Sequence, residues 1–223
     1  MSSRPPGQDY RSRFPGFDVA AQAPHWDQVT AGVVLDRLGP APGIRFFTPD
    51  EEAVAIALCD QLTGQDASAA DEGGPAGQPR VPVAALIDAR LAEQQTDGWR
   101  YADMPEDGQA WRDSLRHLDA EAREKFSAGF AECASGDQRA LIQAVQDAGP
   151  GDWHGMNAKH LWSLWTRYAC TAFYSSPRAW NEMGYPGPAY PRGFKDIGVD
   201  TLEPFEVRDI DPGDDPAAQD EGQ

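Results

Sequence analysis

Asn157-Ala158-Lys159-His160-Leu161-Trp162-Ser163-Leu164-Trp165-Thr166-Arg167-Tyr168-Ala169-Cys170-Thr171-Ala172-Phe173-Tyr174 carries two apolar stripes at helical spacing. Leu161, Leu164, Trp165, Tyr168 and Ala172 form one; Trp162, Ala169 and Phe173 form the other. A helix apolar on two faces belongs at the centre of a bundle. Its neighbours read the same way. Thr48-Pro49-Asp50-Glu51-Glu52 is a capping box with proline at the first helical position, and Phe47 is placed to staple it. That helix is expected to run to Leu62 with Val54, Ala57 and Leu58 inward, and to stop at Gly64. Val83, Leu86, Ile87 and Leu91 mark another, ended by Asp97-Gly98.

Trp111, Leu115, Leu118, Ala122, Phe126, Gly129 and Cys133 recur in steps of three and four, which predicts a long amphipathic helix over 109–133 with a candidate break at Asp119. A short helix follows from Ser135, with Leu141, Ile142 and Val145 inside and Gly149-Pro150-Gly151 at its end. Trp26 to Leu38 is a further candidate, with Trp26, Val29, Val33 and Val34 on one face. Strand-period alternation persists nowhere. The expectation is an all-α, irregular bundle of about five to six helices, closed by a long Pro/Gly/aromatic segment. Residues 1–44 read as an extended lead-in with one possible helix, 45–198 as the helical domain, and 199–223 as an acidic, disordered tail. Residues 65–80 read as a flexible loop.

At 223 residues the chain can bury one good core. Its mean hydropathy of -0.58 indicates that a sizeable part is solvated. With 19 basic against 36 acidic residues, the formal charge of -17 repels phosphate backbones and anionic membranes, so no nucleic-acid partner is expected. No window approaches the roughly 18 consecutive apolar residues of a membrane span, so no direct membrane insertion is expected. The N-terminal residues lack an apolar core behind their arginines, and Ser12 separates Arg11 from Arg13. Taken as written, the chain is expected in the cytoplasm. Cys59, Cys133 and Cys170 are odd in number, widely spaced and placed in helical patterns, which suggests buried, reduced thiols.

After the last helix comes Phe173-Tyr174-Ser175-Ser176-Pro177-Arg178-Ala179-Trp180-Asn181-Glu182-Met183-Gly184-Tyr185-Pro186-Gly187-Pro188-Ala189-Tyr190-Pro191-Arg192-Gly193-Phe194. Prolines and glycines fall too often there for a helix or central strand to run through. Large rings on a stiff, irregular backbone either cap the protein's own core or wait for another polypeptide.

Catalytic patterns are sparse. The sequence has no His-Glu-x-x-His, phosphate-cradling Gly-rich turn, nucleophile elbow or Cys-x-x-Cys. His25 lies in the lead-in and His117 on a largely polar face. Asp152, His154 and His160 form the one candidate metal set, and only if the stretch around Trp153–Met156 is irregular. Asp119, Glu121 and Glu124 alternate with Arg116, Arg123 and Lys125, the pattern of a solvated, salt-bridged face. A stand-alone metal-dependent enzyme is the alternative that this set keeps open.

Two stretches carry a family resemblance. The first is Phe46-Phe47-Thr48-Pro49-Asp50-Glu51 opening a helix, followed by an acidic loop and then by Val83, Ile87-Asp88 and Leu91. The second is Phe173-Tyr174-Ser175-Ser176-Pro177 with Trp180-Asn181-Glu182-Met183-Gly184-Tyr185-Pro186-Gly187-Pro188. Together they resemble the gluconate 2-dehydrogenase subunit 3 family over roughly residues 45–195. The resemblance implies a small, non-catalytic subunit that binds and stabilises or matures a large FAD-dependent dehydrogenase of the glucose-methanol-choline type. Such complexes oxidise sugars, polyols or sugar acids, often with a cytochrome subunit as electron acceptor. It implies no catalytic, cofactor or metal residue in this chain, FAD being held by the partner. It also implies a contact surface at Phe173, Tyr174, Pro177, Trp180, Asn181, Tyr185, Pro186, Gly187, Tyr190 and Arg192. Many members start with a twin-arginine signal; here the partner would supply it if the pair is exported. Pro177-Arg178-Ala179 stands where the family often has Gly-Gly-Asn.

Overall fold

The computed structural model describes residues 14, 16–65 and 80–208. The expected flexible loop falls almost wholly outside these residues, as does the tail beyond Arg208. In chain order, a 3-10 helix Val19–His25 leads to α1 (Gln28–Asp36), α2 (Pro49–Thr63), α3 (Val83–Ala92) and α4 (Asp107–Phe126). A 3-10 turn, Phe130–Glu132, and α5 (Ser135–Asp147) follow. The two-residue strands β1 (Asp152–Trp153) and β2 (Met156–Asn157) form a small antiparallel hairpin, then come α6 (Ala158–Tyr174) and α7 (Pro177–Met183). The fold is all-α, as the helical periodicity implies.

The chain divides into two compact units. One gathers residues 41–70 and 82–173; the other gathers 1–40, 71–81 and 174–223. The sequence reading instead drew its boundaries at 44/45 and 198/199. The aromatic segment groups with the lead-in because both contribute to one apolar cluster, described below.

In the first unit α2 packs against α3, α4 and α5. Leu58, Ile87, Trp111, Leu115, Leu118, Leu141, Leu161 and Trp165 are fully buried. The predicted start of α2 is present in full: Thr48 Oγ1 accepts from Glu51 N, and Glu51 accepts from Thr48 N at 2.8 Å. Gly64 ends the helix at φ 70°, a left-handed position that favours glycine. Inside α4 and α6 the polar atoms find each other. Trp165 Nε1 donates to Ser114 Oγ at 3.0 Å, and the Tyr168 hydroxyl donates to Asp107 at 2.7 Å. Burial pushes the Tyr168 phenol well above its ordinary pKa, and the bond to Asp107 adds to the rise.

One side chain organises the approach to α2. Asp88, fully buried on α3, accepts backbone N–H bonds from Arg45 at 2.6 Å and from Phe46 and Phe47 at 2.7 Å each. Three successive amides thus converge on one carboxylate, which fixes the chain just ahead of the Thr48 cap. Phe47 is buried beside Trp111, ring centroids 6.3 Å apart.

Several expectations are corrected. Trp26 lies outside α1, ahead of the N-cap Asp27, so a stripe counted from it loses register: Val34 is buried while Val29 and Val33 are exposed. In α2, Ala55 and Cys59 are buried and Ala57 only partly. α3 stops at Ala92 rather than near Gly98, because Gln94 turns left-handed at φ 54° and Arg90 Nε binds Gln95 O at 2.9 Å. α4 runs unbroken past Asp119 and ends at Ser127, φ 58°. Asp119 caps something else: it accepts from Phe130 N at 2.9 Å. Cys59 is buried, but Cys133 is intermediate and Cys170 exposed. The lead-in is not simply extended, since Asp18 caps the 3-10 helix by accepting from Ala20 N.

Asp88→Ala strips three buried amides of their acceptor. It should lower the unfolding free energy by about 3 kcal/mol or more in urea melts; a loss under about 1 kcal/mol would show that Asp88 does not hold this junction.

Candidate partner interface

In the second unit the aromatic segment is not wholly irregular. Ser176 caps α7, accepting from Arg178 N, and Pro177 occupies its first turn. Pro177-Arg178-Ala179 therefore serves as a helix start, a structural role for the residues that depart from the family pattern. Gly184 closes α7 at φ 64°, and Gly187 follows at φ 78°. Both glycines are also sterically required. A Cβ on Gly184 would stand 2.3 Å from Val207 Cγ2, and one on Gly187 would stand 2.4 Å from the Trp26 ring.

These turns lock the segment to the lead-in. Val19, Trp26, Val34 and Trp180 form a buried cluster, with Phe17, Ala23 and Ala31 against it. Asn181 Oδ1 accepts from Val19 N at 2.8 Å, and Trp180 Nε1 donates to Tyr174 O at 2.7 Å. Arg178 donates to Leu38 O at 2.7 Å, and Arg37 to Ser175 O at 3.2 Å. Arg192 reaches Pro186 O at 3.1 Å and Gln22 at 3.3 Å and stacks on Phe205 at 3.5 Å. The buried Glu203 carboxylate accepts from the backbone N–H groups of Lys195 and Asp196 and so ties down the following loop.

The ten expected contact residues divide by exposure. Trp180 is 6% exposed, and Pro177, Asn181 and Gly187 are also buried: they anchor the unit internally. Phe173, Pro186 and Arg192 are half-buried. Tyr174, Tyr185 and Tyr190 are exposed, Tyr190 at 68%. The Tyr185 ring meets Trp180 edge-on, centroids 5.1 Å apart, so an exposed ring rests on a buried one. Phe194 ends the aromatic stretch but is not among the ten, and Ile197, Val199 and Leu202 lie beyond it; all four are exposed. Their signal was weak because they lie in a non-periodic stretch. Among the described residues only Ile56, Trp99 and Phe126 of the exposed large apolar side chains fall in the other unit. Exposed apolar surface is thus concentrated on the aromatic segment and its neighbours.

The candidate metal set is not assembled. Asp152 accepts from Gly155 N, His154 Nε2 lies 2.8 Å from Glu121, and His160 Nδ1 lies 2.8 Å from Asp103. Each is engaged by a different neighbour, and the described residues hold no group of three or more ligands placed for a metal. The β1–β2 turn, His154-Gly155 with φ 51° and 83°, instead stacks His154 on His117 at 4.2 Å. Burial lowers the His117 pKa, and the neighbouring His154 and Arg116 lower it further. Burial pushes the Glu121 carboxyl up, yet bonds from Lys125 and His154 outweigh this and leave it below the usual range. The i,i+4 pairs Arg123–Asp119 and Lys125–Glu121 confirm the salt-bridged face read from sequence.

The fold and this surface define an all-α protein with a fixed aromatic segment. Residues 49–187, more than half of the chain, match the family described as gluconate 2-dehydrogenase subunit 3, and the chain belongs to that family. Comparison with curated proteins finds no match, and comparison with solved structures finds none either. The matched span begins at Pro49, the residue after the Thr48 cap, and runs through Gly187.

Gly187→Ala should cost about 2 kcal/mol or more in urea unfolding, since it adds both a left-handed strain and a clash with Trp26; an unchanged midpoint would mean that the lock does not exist. His117 should titrate below the ordinary histidine value in an NMR pH series, and His154→Ala should move it upward. A midpoint unmoved by that substitution would contradict the stacked pair.

Proposed function

We propose that this chain is the non-catalytic accessory subunit of an FAD-dependent dehydrogenase of the glucose-methanol-choline type, acting on sugars, polyols or sugar acids. The observation that carries the reading is the family match over 49–187, whose C-terminal end coincides with the segment that presents Tyr174 and Tyr185. Rings held on a fixed backbone lose little entropy when covered, and tyrosines are favoured hot-spot residues. In this reading Tyr174, Tyr185, Tyr190 and Phe194 meet the large flavoprotein, while Trp180, Asn181 and Gly187 hold the contact surface in shape.

FAD resides in the partner. The large subunit does the oxidation, and a cytochrome subunit can take the electrons. No helix among the described residues is long and apolar enough to cross a membrane. The metal-enzyme alternative loses its support, because Asp152, His154 and His160 have separate partners.

The test is co-expression with the flavoprotein encoded beside this chain. The expected product is a stable complex with a flavin absorption spectrum. Replacing Tyr185 and Tyr190 together by Ala should weaken it by about 2 kcal/mol or more while leaving the fold intact. Failure of the unaltered chain to retain the flavoprotein would overturn the proposal; an unchanged affinity would move the contact elsewhere.

A further inference from the structure

A pocket of about 450 Å3 lies beside the aromatic segment, lined by the cationic Arg192 and Lys195, the acidic Asp196 and Glu203, and His25, Gln22 and Phe205. In a chain with 36 acidic residues, the half-buried Arg192 forms no ion pair among the described residues. Arg90, Arg112 and Arg167 each have a carboxylate partner. The two Arg192 bonds go to neutral acceptors, the Gln22 amide oxygen and the Pro186 carbonyl. Its Nε is buried without an acceptor. The nearby Glu203 accepts the Lys195 and Asp196 amides, both at Oε1, and forms no ion pair with Arg192 among the described residues. Phe205 holds the guanidinium plane at 3.5 Å, which orients the fork before anything binds. Burial accordingly lowers the Arg192 pKa, with Glu203 and Tyr185 opposing the shift.

A planar guanidinium with spare donors, in a pocket that also holds Lys195 and His25, matches a carboxylate. We propose that the pocket is a carboxylate site, filled in the assembled complex by an acidic side chain of the partner subunit. The identity of the occupant rests on the accessory-subunit reading; the preference for a carboxylate does not.

The test begins with the 15N-labelled chain alone, titrated with sodium acetate and, at matched ionic strength, with sodium chloride. The Arg192 Nε–Hε signal, assigned with Arg192→Lys, should shift saturably with acetate only. Lys195→Ala, whose side chain makes no bond among the described residues, should weaken that response while the rest of the spectrum stays in place. Identical shifts with both salts would overturn the site. In the complex, Lys195→Ala should weaken flavoprotein binding about tenfold, and acetate should compete. Acetate binding with an unaffected complex would overturn the assignment of the occupant. A chain that binds acetate but retains no flavoprotein would refute the accessory-subunit reading and leave the carboxylate site standing.

Discussion

The backbone of the aromatic segment passes so close to the Trp26 indole that residue 187 has no room for a Cβ. Much of the second unit follows from that approach. It requires glycine at 187, brings the lead-in and the segment into one cluster, and leaves Trp180 buried beneath Tyr185. The same geometry separates two roles that sequence alone merges. Residues that fix the backbone are buried, while the rings of Tyr185 and Tyr190 are exposed. Trp180 belongs to the first group. Its substitution would act on the contact surface through the fold, as a cavity in a small core does.

The other unit has an equivalent constraint in Asp88. A buried carboxylate satisfied by three backbone amides is expensive to create and expensive to disturb. It sets the entry to α2, the helix around which α3, α4 and α5 pack. Arg112 adds a second brace there, binding Glu51 and the Phe46 carbonyl and stacking on the Phe46 ring at 4.1 Å.

Much of this architecture was legible in the residues. Capping chemistry placed α2 correctly, because Thr48, Pro49, Glu51 and Gly64 each have a local physical role. The stripes of α4, α5 and α6 identified most of the core, since amphipathic periodicity reports burial directly. What escaped was non-local. No pattern reveals that Asp88 gathers amides more than forty positions away, nor that Asp119 caps Phe130 instead of breaking α4. The α1 face failed because Trp26 packs from outside the helix. In the aromatic segment the composition marks the rings, but exposure depends on how the segment folds onto the lead-in. Trp180 and Tyr185 look alike in sequence and differ sharply in burial.

In the proposed reading the exposed rings of the aromatic segment are covered on assembly, which offsets the cost of leaving them in water. The carboxylate pocket fits the same picture, supplying an oriented polar contact beside the rings. Hydrogen–deuterium exchange of the free chain against its complex with the flavoprotein tests this most directly. The account predicts new protection concentrated in residues 174–205. Protection confined to α4 or α5, with that segment unchanged, would contradict it.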